Sequence, residues 1–456
     1  MKVLLVRPKP HKDTIGLQHV MICEPLEFEY LISNIPEKIK NDINVKIIDL
    51  IIEKKSYKEI LLKEKPDMVL FTGYITHVGV IKTLAKEAKE LFPNLNVKTG
   101  VGGVHAEVVP EDFKSEFIDF IYDKNGIDGF NLTLRCLIKG QDVDKIKEQL
   151  KDLGPKKRSF NYKYPDRNSV LKYRKYYYYM FHNPCALIKT TFGCPYNCSF
   201  CFCKEITDGK YFTRDMDDVI GELESIREEE IYIVDDDFLY DKKKLRAFID
   251  GIKSKNIKKR FLVYGRADFI SENKDILIEL KRYGLQAVIV GIESVRAKDL
   301  ESYNKRTTIE INEKCINILK ELDIELYATL IVPLDFTISD FRELTSWLKS
   351  LNVKFVNLQP LTPLPGTEIF EQYLPNLLIQ REQYESWDMA HVVLKPEFIS
   401  IRRFYTELLI AYYRVVMRPK HLVVLIKKYG IKANLKMLVG SSLVSFQYIQ
   451  KIVRGR

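Results

Sequence analysis

Short apolar runs alternate with stretches of helical periodicity along most of this chain, and the alternation falls into two series. In the first, residues 3–6, 45–50, 68–72, 97–101 and 118–122 are apolar runs of strand length, separated by helical stretches such as 80–91. Runs that are apolar on both faces predict parallel strands covered by helices on either side. Residues 1–140 are therefore expected to form a doubly wound, Rossmann-like α/β domain. The second series comprises 186–190, 231–234, 261–264, 287–291, 325–331 and 353–358, again with amphipathic segments between. Six such βα units predict a partial (βα)6 barrel over residues 184–385. Residues 141–183, rich in charge and carrying the run Tyr176 to Tyr179, are expected to form a linker, and residues 386–456 a basic helical C-terminal extension.

Reactive and binding groups in such folds stand on the loops beyond the carboxyl ends of the strands. In the first domain those positions hold Thr72-Gly73 and Gly102-Gly103-Val104-His105. Glycines there let a ligand approach the backbone, although a tight turn explains them equally well. In the barrel the second strand leads into Asp235, Asp236 and Asp237, the third into Arg266 and Asp268, the fourth into Glu293 and Ser294, and the sixth into Gln359 and Thr362. Asp235 and Asp236 read as carboxylates placed to hold a ligand ammonium by charge-assisted hydrogen bonds. Asp237 divides evenly between that role and capping the helix that follows. Arg266 and Glu293 have a structural alternative as an ion pair across the barrel mouth.

The first barrel strand leads into Cys194-Pro195-Tyr196-Asn197-Cys198-Ser199-Phe200-Cys201. A cubane iron–sulfur cluster normally takes four thiolates, so a CxxxCxxC loop leaves one iron for a substrate or cofactor chelate. The rival is a zinc knuckle, whose ligands usually come as separated CxxC or Cys/His pairs. Cys203 reads as a small buried neighbour of a complete ligand set. Eight cysteines in 456 residues, with no signal peptide, point to reduced thiols and a cytoplasmic protein.

The net charge of +10 lies in the tail: from Arg402 onward twelve Lys and Arg face the single acid Glu407. Apolar stretches 421–426 and 437–449 alternate with Lys427, Lys428, Lys432, Lys436 and Lys451, and neither reaches the roughly 18–20 residues that span a bilayer. This pattern suits the surface of an anionic membrane, such as its inner face, or else a helical cap on the barrel. No nucleic-acid module accompanies the basic residues, and nucleic acid is not expected as a partner.

The cysteine loop, with Phe200 before its third cysteine, is the signature of the radical S-adenosylmethionine (SAM) superfamily, which this chain resembles. The resemblance implies a [4Fe-4S] cluster on Cys194, Cys198 and Cys201, and SAM contacts from Asp235, Asp236, Arg266, Glu293 and Ser294, the last two within Gly291-Ile292-Glu293-Ser294. It also implies an electron donor such as flavodoxin or ferredoxin. The upstream Gly102-Gly103-Val104-His105, followed by the acidic stretch 107–111, resembles the cobalamin-binding domain of B12-dependent radical SAM enzymes and implies cobalamin contacts from Thr72, Gly73, Gly102, Gly103 and His105. Three features depart from the pattern. No Asp-x-His-x-x-Gly motif supplies a histidine to cobalt, 123–126 replaces an acidic-glycine repeat, and the fifth strand lacks the usual glycines. Glu24-Pro25-Leu26-Glu27, 264–268, 361–367 and 387–391 resemble the class that methylates unactivated carbons, including hopanoid methylases. The implied activity is radical C-methylation of a lipid or other hydrophobic substrate with two SAM molecules. A radical cyclase or C–C coupling enzyme, a radical SAM enzyme with a vestigial cobalamin domain, and a non-enzymatic cobalamin or iron–sulfur sensor stay open.

Overall fold

The computed structural model describes residues 1–154 and 159–455, which form two compact units. In the first, strands β1 (Lys2–Arg7), β2 (Asn44–Asp49), β3 (Met68–Thr72), β4 (Lys98–Gly102) and β5 (Phe120–Ile121) make one parallel sheet in the order β2-β1-β3-β4-β5. Every residue from Val3 to Val6 is at most 2% exposed, as a strand covered on both faces requires. Helix α1 (Leu26–Ser33) follows β1, and α2 (Val78–Leu91) buries Val78, Ile81, Ala85 and Ala88 at helical spacing. The chain order places the switch point of this doubly wound sheet between β1 and β3.

The expected linker is not a separate element. Its helix Val143–Lys151 buries Ile146 and packs on α3 (Gly126–Ile138), where Cys136 Sγ donates to Gln149 Oε1 at 3.3 Å. Arg167 and Arg174 then pair with Glu24, whose side chain is fully buried, at 2.5 and 3.0 Å. Buried acids thus draw the charged stretch onto the first unit, which extends to Tyr176 and takes in Arg381–Asp388. Residues 155–158 of the expected linker lie outside the described residues. The tyrosine run is divided: from Tyr177 the chain belongs to the second unit, with Ile15–Cys23, and Tyr179 packs on Tyr232 at 5.1 Å.

The second unit is built on six parallel strands, β6 (Cys185–Ile188), β7 (Glu230–Ile233), β8 (Arg260–Gly265), β9 (Leu285–Glu293), β10 (Glu325–Val332) and β11 (Phe355–Pro360), adjacent in sequence order. Several of its helices start at side-chain caps. Asp241 accepts from Lys243 N–H at the start of Lys242–Ser254, and Thr337 and Asp340 form a capping box for Ile338–Ser350. After β11 come α4 (Ile401–Val416) and α5 (Pro419–Arg454), the latter broken at Gly430, whose φ of 78° and ψ of 165° lie outside helical space. Phe341, 1% exposed, meets Phe336 and Phe404 edge-to-face at 5.3 and 5.4 Å and ties the helix between β10 and β11 to α4. Phe341→Ala is expected to cost about 3–5 kcal/mol, read as a lower unfolding midpoint of this unit; a change below about 1 kcal/mol would show that the site repacks.

Candidate active site

The three cysteines lie on the loop leaving β6. A two-residue strand, Thr191–Phe192, pairs antiparallel with Phe212–Thr213, and the chain turns at Gly193 with φ +80°. A Cβ at Gly193 would lie 2.1 Å from the Lys210 carbonyl oxygen, so this turn needs glycine. Cys198 is buried, and Cys194 and Cys201 are half-buried. Cys201 N–H donates to the Cys198 carbonyl at 3.1 Å. The loop is buttressed from the segment after β9, where the Tyr303 carbonyl accepts from Ser199 N–H at 3.1 Å and Asn304 Nδ2 donates to the Asn197 carbonyl at 2.8 Å. Phe200 meets the Tyr303 ring at 5.5 Å.

The three aspartates after β7 have separate tasks. Asp235 is fully buried and spent on structure: it accepts from Thr190 N–H at 2.6 Å, Thr191 N–H at 2.9 Å, the Thr190 hydroxyl and Lys244 Nζ at 3.3 Å. The expectation that it holds a ligand is corrected, because its oxygens already pin the root of the cysteine loop. Asp236 accepts from Gly193 N–H at 3.0 Å and from Cys203 Sγ at 3.4 Å. Asp237 is 2% exposed, and neither oxygen has a hydrogen-bond partner among the described residues. It is not a cap, since Asp241 caps the next helix. Burial pushes its carboxyl up to about 8, against the opposing fields of Arg266 and Lys305. A buried carboxyl without a partner is costly, and of the three acids this one is left to receive a ligand ammonium.

Two cations flank the loop. Arg266 places Nη1 3.7 Å from Cys198 Sγ and its guanidinium 3.6 Å from the Tyr196 ring centroid, while Asp268 and the Lys305 carbonyl fix its orientation. Lys305, which the sequence reading passed over, is 6% exposed and bonds Glu293 Oε1 at 2.8 Å. Burial works against its charge, but Glu293 and Cys198 together raise its pKa and the ammonium stays charged. The structural alternative of an Arg266–Glu293 ion pair gives way to two pairs, Arg266–Asp268 and Glu293–Lys305. Ser294 turns away: its hydroxyl donates to Asp299 Oδ2 at 2.6 Å within the Arg296 ion network, which corrects its assignment to SAM.

The donor set suits a cluster. Among the described residues no three His, Cys, Asp or Glu side chains converge as ligands of one metal ion must, whereas a cubane takes one thiolate on each iron. Burial pushes the Cys194 thiol up to about 12 and raises Cys198, so iron must displace their protons beside two cations that favour thiolate. A hydrogen bond from Cys203 lowers Cys201, and Cys203 keeps its own proton through the same contact. Cys203 is thus a hydrogen-bonding neighbour of a ligand, in touch with Asp236.

In the first unit Thr72-Gly73 and Gly102-Gly103 meet at the carboxyl ends of β3 and β4. Gly103 has φ +103°, and a Cβ there would lie 3.0 Å from Thr72 Oγ1 and 3.3 Å from Gly73 N, whereas one at Gly102 meets nothing closer than Tyr122 Cβ at 3.8 Å. Thr72 donates to Glu27 Oε1 at 3.0 Å. Burial pushes the nearby His77 imidazole down to about 4, so His77 is neutral; the sequence pattern marks neither Glu27 nor His77 as a ligand contact. His105 is 2% exposed, bonds Asp112 Oδ2 through Nε2 at 2.8 Å and packs edge-on against Phe113, so its expected role at a ligand is corrected to a structural one. Of the three glycines, Gly102 alone faces open space, since a Cβ at Gly73 would lie 2.7 Å from His77 Cβ.

Asp235 and Asp237 should separate in mutation. Asp235→Ala strands two N–H groups and Lys244 and is expected to cost about 3–5 kcal/mol, with loss of iron from the reconstituted protein. Asp237→Asn is expected to leave the fold intact and weaken SAM binding about tenfold, the loss of one charged contact. Because the folded-state pKa of Asp237 is raised, its contribution to stability is present at low pH and lost as pH rises through about 8. The unfolding midpoint of the cofactor-free protein should therefore fall over the range from about 4 to about 8, and Asp237→Asn should flatten that slope. An unchanged slope would mean that Asp237 already has a partner in solution.

Comparison with known proteins agrees with this geometry. Residues 188–348 match the Radical SAM superfamily and residues 23–128 the B12 binding domain. The chain is 27% identical to the hopanoid C-3 methylase of Methylococcus capsulatus over 90% of its own length and 79% of the relative's. It is 24% identical to the anaerobic magnesium-protoporphyrin IX monomethyl ester cyclase of Cereibacter sphaeroides, over 88% and 68%. Its fold is shared with the radical SAM methyltransferase TsrM of Kitasatospora setae, at a TM-score of 0.66 and 18% identity, covering 92% and 91% of the two chains. With a three-cysteine loop on a six-stranded parallel barrel and a B12 binding domain on a doubly wound sheet, the chain belongs to the radical SAM enzymes that carry an N-terminal B12-binding domain, the class of the cobalamin-dependent methylases.

Proposed function

We propose that this protein methylates an unactivated carbon of a hydrophobic substrate, using SAM, a [4Fe-4S] cluster and cobalamin. The observation that carries the proposal is the joint presence, in one chain, of a three-thiol loop flanked by Arg266 and Lys305 and of a glycine-lined strand-end cleft within a B12 binding domain. When bound, the cluster supplies reductive cleavage of SAM and the corrin supplies a carrier for a methyl group. Cys194, Cys198 and Cys201 would hold the cluster. Asp237 would hold the SAM ammonium, and Arg266 and Lys305 would offset the negative charge of the thiolates. In the first unit Thr72, Gly73, Gly102 and Gly103 would bound the corrin, with Glu27 and the neutral His77 beside them. The hydrophobic substrate is supported by the similarity to the hopanoid C-3 methylase.

The similarity to the magnesium-protoporphyrin ester cyclase favours a second reading, in which the same radical leads to ring closure without methyl transfer. The two part on the product. Reduced, anaerobically reconstituted protein given cobalamin, SAM with a deuterated methyl group and a lipid extract is expected to release 5′-deoxyadenosine and a product in which one C–H has become C–CD3. An unlabelled product that has lost hydrogen would decide for the cyclase. Each of Cys194→Ala, Cys198→Ala and Cys201→Ala should abolish SAM cleavage, while Cys203→Ala should retain iron; the reverse pattern would overturn the ligand assignment. Gly102→Leu is expected to weaken cobalamin binding about tenfold or more by filling the cleft, whereas His105→Ala should leave the cobalt spectrum unchanged. A spectral change on losing His105 would put an imidazole on the metal.

A further inference from the structure

We infer that the outer face of α5 is a docking surface for an anionic lipid bilayer. Beyond the Gly430 break, this helix is apolar on two opposite sides. One side, carrying Asn434, Met437, Gly440 and Tyr448, is buried, with Tyr448 against Tyr405 of α4 at 6.0 Å and Gly440 seated on the His19 carbonyl. The other carries Ile431, Leu435, Val439, Phe446, Ile449 and Val453, each between 43% and 71% exposed. Positions 431, 435, 446, 449 and 453 fall within about 60° of one another around a helix of 3.6 residues per turn, and 439 lies next to them. The result is an apolar stripe, roughly 33 Å long at 1.5 Å per residue, with the small, exposed Ser442 in the gap between Val439 and Phe446. A water-soluble surface has no use for such a stripe.

Charge decides what covers it. From Pro419 to Arg454 the helix holds seven Lys and Arg and no acid. Lys428 is spent on Glu325 at 3.1 Å, and Lys436 lies over the Tyr178 ring at 3.1 Å, so these two hold the helix to the barrel. Lys427, Lys432 and Arg454 are exposed, near either end of the stripe. A second copy of the chain seated on this face would bring two acid-free helices together and set like charges against each other. An anionic headgroup layer instead neutralises them while the acyl boundary takes the apolar side chains. No helix among the described residues is long and apolar enough to cross a membrane, so the contact is with the surface. The inference rests on the proposed hydrophobic substrate only for its purpose, since the face itself is independent of the chemistry.

The test is cosedimentation of the full reconstituted protein with vesicles of phosphatidylcholine alone and of phosphatidylcholine mixed with phosphatidylglycerol. Binding to the mixed vesicles only is expected, falling as salt shortens the screening length from about 10 Å at 0.1 M to about 3 Å at 1 M. Val439→Asp with Phe446→Glu, and separately Lys427→Glu with Lys432→Glu, should each reduce binding about tenfold or more. SAM cleavage, read in the same samples, should stay unchanged, which separates failure of docking from failure of the enzyme. Equal binding to both vesicles, binding to neither, or a dimer without lipid that the Val439→Asp and Phe446→Glu pair dissolves would each overturn the inference.

Discussion

The buried carboxylate of Asp235 is the interaction on which the active centre depends. It gathers two backbone N–H groups, a hydroxyl and an ammonium at the ends of β6 and β7, so the chain enters the cysteine loop from a fixed point. Because successive side chains diverge after a strand, fixing Asp235 inward also decides where its neighbours go. Asp236 reaches the loop at Gly193 and Cys203, and Asp237 stays buried without a partner. A single anchor thereby sets the loop and presents a carboxyl ready for a positive group.

Burial of charge shapes the rest of the centre. Arg266 and Lys305 are both nearly removed from water, each held by its own carboxylate, and both act on Cys198. Without cofactor, burial favours the protonated thiols of Cys194 and Cys198. Thiolates holding iron would carry negative charge, and the two cations beside Cys198 would then serve as a counter-field. This is a site whose electrostatics are balanced for a loaded state, as preorganised polar groups in a water-poor cavity are.

The C-terminal helix shows a similar division of labour. Tyr429 bonds Glu325 and stacks on Phe181 at 4.2 Å, Lys428 pairs with the same glutamate, and Lys436 lies on Tyr178. These contacts account for the barrel-cap reading of the basic tail, and the face proposed for a membrane is a different one.

The sequence by itself determined the strands of both sheets, because parallel strands buried on two faces leave apolar runs that need no partner to be recognised; only their ends moved by a residue or two. It also determined the cysteine loop, whose spacing is a local property of the chain. What only the tertiary structure decided was the use of each polar residue at the strand ends. Asp235, Ser294 and His105 have the right residue type and position for ligands, yet find internal partners in Thr190, Asp299 and Asp112. Lys305 carries no motif and reaches the cluster site because the segment after β9 folds back on the loop. Likewise the linker dissolved into both units, since buried Glu24 captures Arg167 and Arg174 from more than a hundred residues away. Hydrophobic periodicity is written along the chain, but the pairing of buried charges is settled between distant segments, where no local pattern records it.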